Sequence, residues 1–427
     1  MSTRREVIAL ASGAALAAAA PAAAAEAGGR QGDKVWTATW AAVPTTVPPG
    51  PPAVLENETV RHVVHVSAGG DHVRVRLTNE FGEQPLELGE VRIARRAGAG
   101  ASTRTMPGTD RRVTFGGRTA TTIPAGAPLV SDPVRLRVPA GTDLTVSLHL
   151  PRRTEVTTLA AFAYQENVVA AGNVTAAPEV TPTSVVSQNL FLSGVSVAGG
   201  DGTVVTLGDS ITNGANTVAN LNHRWPDLLA ARLRTTRGNL GVANAGVSGN
   251  RLLHDPNPPA GSDAEAYAAF FGQSALRRFD RDVLAQPGAR FLVVLLGVND
   301  LGHPGTTAPA GEVVSADDLI AGHRQLIARA HQAGLRACGA TVLPFKGDTF
   351  GFFSADNERK RSALNHWIRT GGEYDAVADF DAAIRDRTDP LRLEPAYDSG
   401  DHLHPNDAGM AVLAAAVPLR FFRQVDR

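Results

Sequence analysis

The sequence predicts two architectures in series: an all-β, sandwich-like region at 33–197 and a three-layer α/β/α domain at 202–427. Three observations carry that expectation. Short, β-branched, alternating segments fill the first region, as in Val73-Arg74-Val75-Arg76-Leu77 and Leu144-Thr145-Val146-Ser147-Leu148. The second region has runs that are apolar at every position, such as Phe291-Leu292-Val293-Val294-Leu295-Leu296. Between them lies Ala198-Gly199-Gly200-Asp201-Gly202, the sharpest break in pattern.

Alternation with a period of two buries one face of a strand and wets the other, which is how antiparallel sheets are built. Turns at Gly69-Gly70, Gly116-Gly117 and Pro139-Ala140-Gly141 punctuate these strands. Many short strands with few helical patterns suggest a sandwich. Past the break, apolar runs at 204–207, 240–243, 291–296, 340–343 and 376–380 fit strands covered on both faces, hence a parallel sheet. Helical patterns at 225–233, 264–284, 316–333, 355–369 and 406–421 separate them. Ligands of such sheets bind outside the carboxyl ends of the strands.

The chain has 427 residues, more than one ordinary domain holds, and is 43% hydrophobic and 19% charged. A formal net charge of −1 gives no electrostatic reason to expect a nucleic acid or an anionic membrane surface as partner. Arg4 and Arg5 precede an apolar, Ala-rich run at 7–20, with A-x-A sites at Ala23-Ala24-Ala25 and Ala25-Glu26-Ala27. Residues 1–27 therefore read as a twin-arginine-like export signal, and the protein as secreted. No other run is apolar and long enough to anchor it in a membrane. Cys338 is the sole cysteine and sits in an apolar run, so it reads as a buried strand residue rather than a reactive thiol.

The chemistry gathers just after the buried strands. Gly208-Asp209-Ser210 follows the first, Asn244-Ala245-Gly246-Val247-Ser248-Gly249 the second, and Gly297-Val298-Asn299-Asp300 the third. Asp401-His402-Leu403-His404 comes before the last helix. Far apart in sequence, all four belong at one edge of one sheet. A serine hydroxyl needs a histidine to take its proton, and the histidine needs an acid to orient it. The tetrahedral oxyanion of acyl transfer needs fixed donors, which backbone N–H groups and a side-chain amide can supply. Glycine at 249 suits close backbone approach.

These four segments in this order resemble the SGNH hydrolases, also called GDSL-type esterases and lipases, with Ile211 where that family's G-D-S-L has Leu. The resemblance covers roughly 203 to 420. The whole chain, including Arg278-Phe279-Asp280-Arg281-Asp282, resembles a two-domain, secreted, actinobacterial-type subgroup. The resemblance implies a flavodoxin-like α/β/α fold and a cofactor-free serine ester hydrolase; no metal is expected, because nothing near His402 and His404 completes a ligand set with recognisable spacing. It implies Ser210 as nucleophile, His404 as base and Asp401 as its acid. Ser210 and Gly249 N–H and the Asn299 amide would form the oxyanion hole.

Blander readings exist for several of these residues. Ser248 reads as a turn or N-cap residue, and His402 as a packing or rim residue. His62 and His65 fall on opposite faces of a strand and so make no metal pair. His303, just past Asn299, is a candidate for the cleft or a surface loop histidine. Phe350, Phe352 and Phe353 either line an acyl or sugar pocket or pin their own loop. The expected substrate is a short-chain acyl ester, with acylated carbohydrate as one form. Alternatives are a lipase or phospholipase, and a carbohydrate-binding protein with a silent hydrolase domain.

Overall fold

The structure, a computed structural model, describes residues 35–236 and 238–423. The export signal expected at 1–27 lies outside the described residues. These described residues belong to one compact unit.

Its first part is antiparallel. A six-stranded sheet runs in the order Ser184–Val186, Asn167–Ala171, Glu58–Val66, Thr142–Leu150, Val91–Arg95, Arg111–Val113. It faces a second sheet built on Trp36–Ala41, Leu192–Ala198, Gly70–Thr78 and Val134–Val138, with Pro128–Val130 also paired to Gly70–Thr78. Val60, Val64 and Val146 from one sheet and Val73, Val75 and Val195 from the other share the core. The period-two pattern works as expected in Val134–Val138, where Arg135 and Arg137 are exposed between buried apolar residues. It fails in Glu58–Val66, which is buried almost throughout. There the face expected to be wet carries Arg61, whose guanidinium donates to Thr175 O at 3.1 Å and Ala177 O at 2.7 Å. The segment around 174–177 covers that face, a tertiary effect that local alternation cannot encode.

The second part holds a five-stranded parallel sheet in the order Gly241–Gly246, Thr203–Gly208, Ala289–Leu295, Arg336–Ala340, Ala376–Ala378. That order is second-first-third-fourth-fifth, the flavodoxin-like winding, whose switch point lies beside the first strand. Each central strand feeds two cores. Val205, Leu207, Leu292 and Val294 pack under the helices Ala316–Gln332 and Ala355–Thr370. Val204, Phe291, Val293 and Leu295 pack under Trp225–Thr236 and Asp407–Ala416. Cys338 is fully buried in its strand, and burial pushes its thiol up to about 12. Helix starts follow side-chain chemistry: Ser315 and Asp318 form a reciprocal capping box, and Asn406 accepts the Gly409 N–H.

One expected helix is broken. Residues 264–284 form two short 3₁₀ turns, Asp263–Ala266 and Ala268–Phe271, then Ala275–Phe279 running into a π-helical turn at Asp280–Leu284. Gly272 at φ +65° ends the first half, and the Asn250 amide takes up the Phe271 and Gln273 carbonyls on either side of it, both at 2.8 Å.

The two parts are joined by hydrogen bonds. Ala38 N–H donates to Thr203 Oγ1 at 3.0 Å, Val242 N–H to Ser67 Oγ at 2.8 Å, and Asn239 pairs with both backbone groups of Gly69.

Candidate active site

The first parallel strand ends at Gly208, and the chain turns into the one-turn helix Ser210–Asn213. Asp209 caps it, its carboxylate accepting Ile211 N–H at 3.0 Å. Burial pushes the Asp209 carboxyl up to about 7 against the pull of that N–H and of His404. The turn presents Ser210, 7% exposed, toward the loop before the last helix.

That loop supplies the partner. Ser210 Oγ lies 2.8 Å from His404 Nε2, and His404 Nδ1 lies 2.6 Å from Asp401 Oδ2. With the Nδ1–H aimed at a carboxylate, Nε2 is left to accept the serine proton. Asp401 is itself held in place. Its Oδ1 accepts the N–H of Leu403 at 3.0 Å and of His404 at 2.8 Å, and its Oδ2 accepts the Asn216 amide at 2.8 Å. Burial alone would raise this carboxyl, but the bonds from His404 and the two N–H groups outweigh it and hold Asp401 well below the usual carboxylate range. His402 turns away: at φ +60° it pairs with Asp398 at 2.5 Å on the rim.

Across the cleft, the turn after the second strand places Gly249 at φ +75°. A Cβ there would lie 2.0 Å from the Phe271 ring, so glycine is required both by conformation and by space. Asn299 and Asp300 open the short helix Val298–Gly302 and reach back to the same turn. Asn299 Nδ2 donates to Asn250 O at 3.0 Å. Asp300 accepts Leu252 N–H at 2.8 Å and Leu253 N–H at 3.0 Å, while burial pushes its carboxyl up to about 6. Four sequence segments thus meet at one sheet edge. A proton can pass from a hydroxyl to an imidazole there, with backbone and amide donors across the cleft.

The candidate lining residues divide. Phe350 is 47% exposed and stands perpendicular to the His404 ring, centroids 5.8 Å apart. Phe352 is buried and bridges Phe350 at 5.7 Å to His303 at 5.5 Å. His303 packs on Phe271 at 5.1 Å, and burial lowers its imidazole to about 3, so it is neutral. Phe353 turns to the core, against Phe345. An aromatic arc therefore runs from beside His404 to the ring that closes on Gly249.

Sequence reasoning missed the opposite, polar side. Ser248 is a turn residue as read, but its Oγ accepts the Asn213 amide at 3.1 Å and lies 3.4 Å from Tyr164 Oη. Asn213 also donates to Phe162 O at 3.2 Å. The β part thus reaches Asn213 and Ser248, the neighbours of the Ser210 and Gly249 turns, through the segment 162–164. Asn216, which steadies Asp401, was missed as well, and Arg278 entered only as part of a run that carries the resemblance, with no contact expected for it. Only the turn-forming run Gly214-Ala215-Asn216 offered any signal for the first.

Residues 206–412 match the model of the GDSL-like lipase/acylhydrolase family. No curated protein matches the chain. Solved structures similar to it include a catalytic mutant of an acetylxylan esterase from Geobacillus stearothermophilus, at 18% identity, covering 54% of this chain and 98% of that one, TM-score 0.39. A GDSL-like lipase from Bacteroides thetaiotaomicron is also 18% identical, over 51% of this chain and 87% of that one, TM-score 0.36. An α/β hydrolase from the metagenome of Lake Arreo, Spain, is 18% identical over 52% and 95%, TM-score 0.38. The family match encloses all four segments of the cleft, and the chain is an ester hydrolase with a GDSL-like lipase/acylhydrolase (SGNH) domain at residues 206–412.

Proposed function

We propose that this protein is an exported serine esterase that transfers a short acyl group from a polar alcohol to Ser210 and then to water. The hydrogen-bonded relay Ser210–His404–Asp401 carries the reading. His404 takes the Ser210 proton as Oγ attacks the ester carbonyl. Asp401 stabilises the imidazolium that forms. Ser210 N–H, Gly249 N–H and the Asn299 amide receive the oxyanion. His404 then protonates the leaving alcohol, and water releases the acid by the same steps in reverse. No step calls on a metal or cofactor.

The walls of the cleft support the substrate class. The arc of Phe271, His303 and Phe352 walls the site on the Gly249 side with packed rings, which favours a small acyl group over a long one. Beside the Ser210 and Gly249 turns, Ser248, Asn213 and Tyr164 Oη are groups suited to a hydroxyl-rich alcohol such as a carbohydrate, and the exposed rings of Phe162 and Phe350 suit stacking on a sugar. Export rests on Arg4, Arg5 and the apolar run behind them.

Hydrolysis of p-nitrophenyl esters from acetate to palmitate tests the reading. A peak at two to four acyl carbons is expected. A peak at long chains would make the protein a lipase, and no turnover of any ester would favour a binding role.

A further inference from the structure

The Arg278 side chain is fully buried, on the short helix Ala275–Phe279 that follows the Gly272 break. Burial lowers its guanidinium to about 10, so it stays charged at neutral pH. Its four contacts are specific. Nη2 donates to Gly208 O at 3.0 Å, Nη1 to Ala245 O at 2.9 Å, and Nε to Asn250 Oδ1 at 3.0 Å; Asp282 Oδ2 lies 3.4 Å from Nη1.

These acceptors are not ordinary core carbonyls. Gly208 stands two residues before Ser210, at the end of the first strand. Ala245 is near the end of the second strand, cross-paired with Leu207. Asn250 follows Gly249, and its own carbonyl holds the Asn299 amide. One planar group therefore touches the strand end that presents the nucleophile and, through Asn250, the turn and the amide across the cleft. Asn250 passes the link on, its amide fixing the Phe271 and Gln273 carbonyls. A single nonpolar residue of similar size would leave Gly208 O, Ala245 O and Asn250 Oδ1 without this partner.

We propose that Arg278 is a positioning residue for ester hydrolysis, setting the separation between the Ser210 turn and the Gly249–Asn299 donors. The proposal rests on the nucleophile and donors assigned above. Arginine is needed because its rigid fork meets three acceptors in fixed directions. A lysine ammonium is a single point on a flexible stem. Displaced donors would weaken binding of the developing oxyanion more than binding of the ester, so the loss falls on kcat.

The test is Arg278→Lys, with rates expressed per Ser210 titrated by a fluorophosphonate. The expected result is a kcat lower by up to roughly 100-fold with KM nearly unchanged, the scale set by small misplacements of reacting groups. In Arg278→Ala, millimolar guanidinium should restore several-fold of the lost kcat, and ethylammonium should not. A purely structural role would lower yield and melting temperature but leave kcat per titrated site at the wild-type value, and that result would overturn the proposal. If neither variant folds, Asn250→Ala carries the test: an equal loss of kcat supports the link, and wild-type kcat per site refutes it. Turnover surviving in Ser210→Ala would instead defeat the nucleophile assignment, an outcome these variants do not mimic.

Discussion

The Asn299 side-chain amide donates to Asn250 O at 3.0 Å, so the third strand's helix is tied to the turn that carries Gly249. One amide hydrogen fixes the side chain, and the proposed function assigns the other to the substrate oxyanion. Asn299→Ala should therefore lower kcat by roughly 100- to 1000-fold while KM changes little, the pattern for a donor that acts on the oxyanion. Steady-state kinetics on p-nitrophenyl acetate check this. A variant of wild-type speed would remove Asn299 from the reaction.

Gly249 carries a steric prediction. Its φ of +75° is costly for any residue with a Cβ, and that Cβ would meet the Phe271 ring at 2.0 Å. Gly249→Ala should destabilise the protein by about 1–3 kcal/mol and reduce kcat further than Asn299→Ala does. Urea titration and kinetics on the same preparation separate the two effects. Unchanged stability would mean that the turn relaxes freely.

Asp401 carries a pH prediction. Burial opposes its ionisation, yet the bonds from His404 and the two backbone N–H groups hold its carboxyl well below the ordinary value of 3.8. Such a group contributes stability that is present above the unfolded value and lost as pH falls through the folded one. Asp401→Asn should flatten the acid end of the stability profile and lower kcat on the order of 10⁴-fold by presenting the wrong tautomer of His404. The wild-type kcat/KM profile should show no acid limb belonging to Asp401. Denaturant midpoints and rates between pH 3 and 8 read both.

Asp209 has the opposite sign. Its carboxyl is raised from 3.8 to about 7 by burial, so the folded state holds a proton that the unfolded state has given up. The stability it contributes is present below pH 3.8 and lost as pH rises through about 7. Asp209→Asn should remove that decline between pH 4 and 7, which urea midpoints measure. A decline as steep as in the wild type would assign it elsewhere.

The legibility of the site follows from where its residues stand. Ser210, Gly249 and Asn299 each come just after a buried apolar run, and Asp401 and His404 lie in one short segment, so local pattern and chemistry sufficed to group them. The contacts of Arg278 were hidden because 264–284 has a helical period, and nothing local says that Gly272 breaks it or that Asn250, 28 positions away, takes up the guanidinium. Tyr164 and Ser248 meet across 84 positions and between two architectures. The burial of Arg61 depends on the segment at 174–177 folding over a face that alternation marks as wet.

The most direct test is covalent. The purified protein is treated with a fluorophosphonate and digested, and the modified residue is located by mass spectrometry, with ester turnover followed in parallel. One adduct is expected, on Ser210, formed in step with complete loss of turnover and prevented by prior saturation with a short-chain ester. An adduct on Ser248 or another residue that tracks the loss, or turnover that persists with Ser210 fully modified, would contradict it.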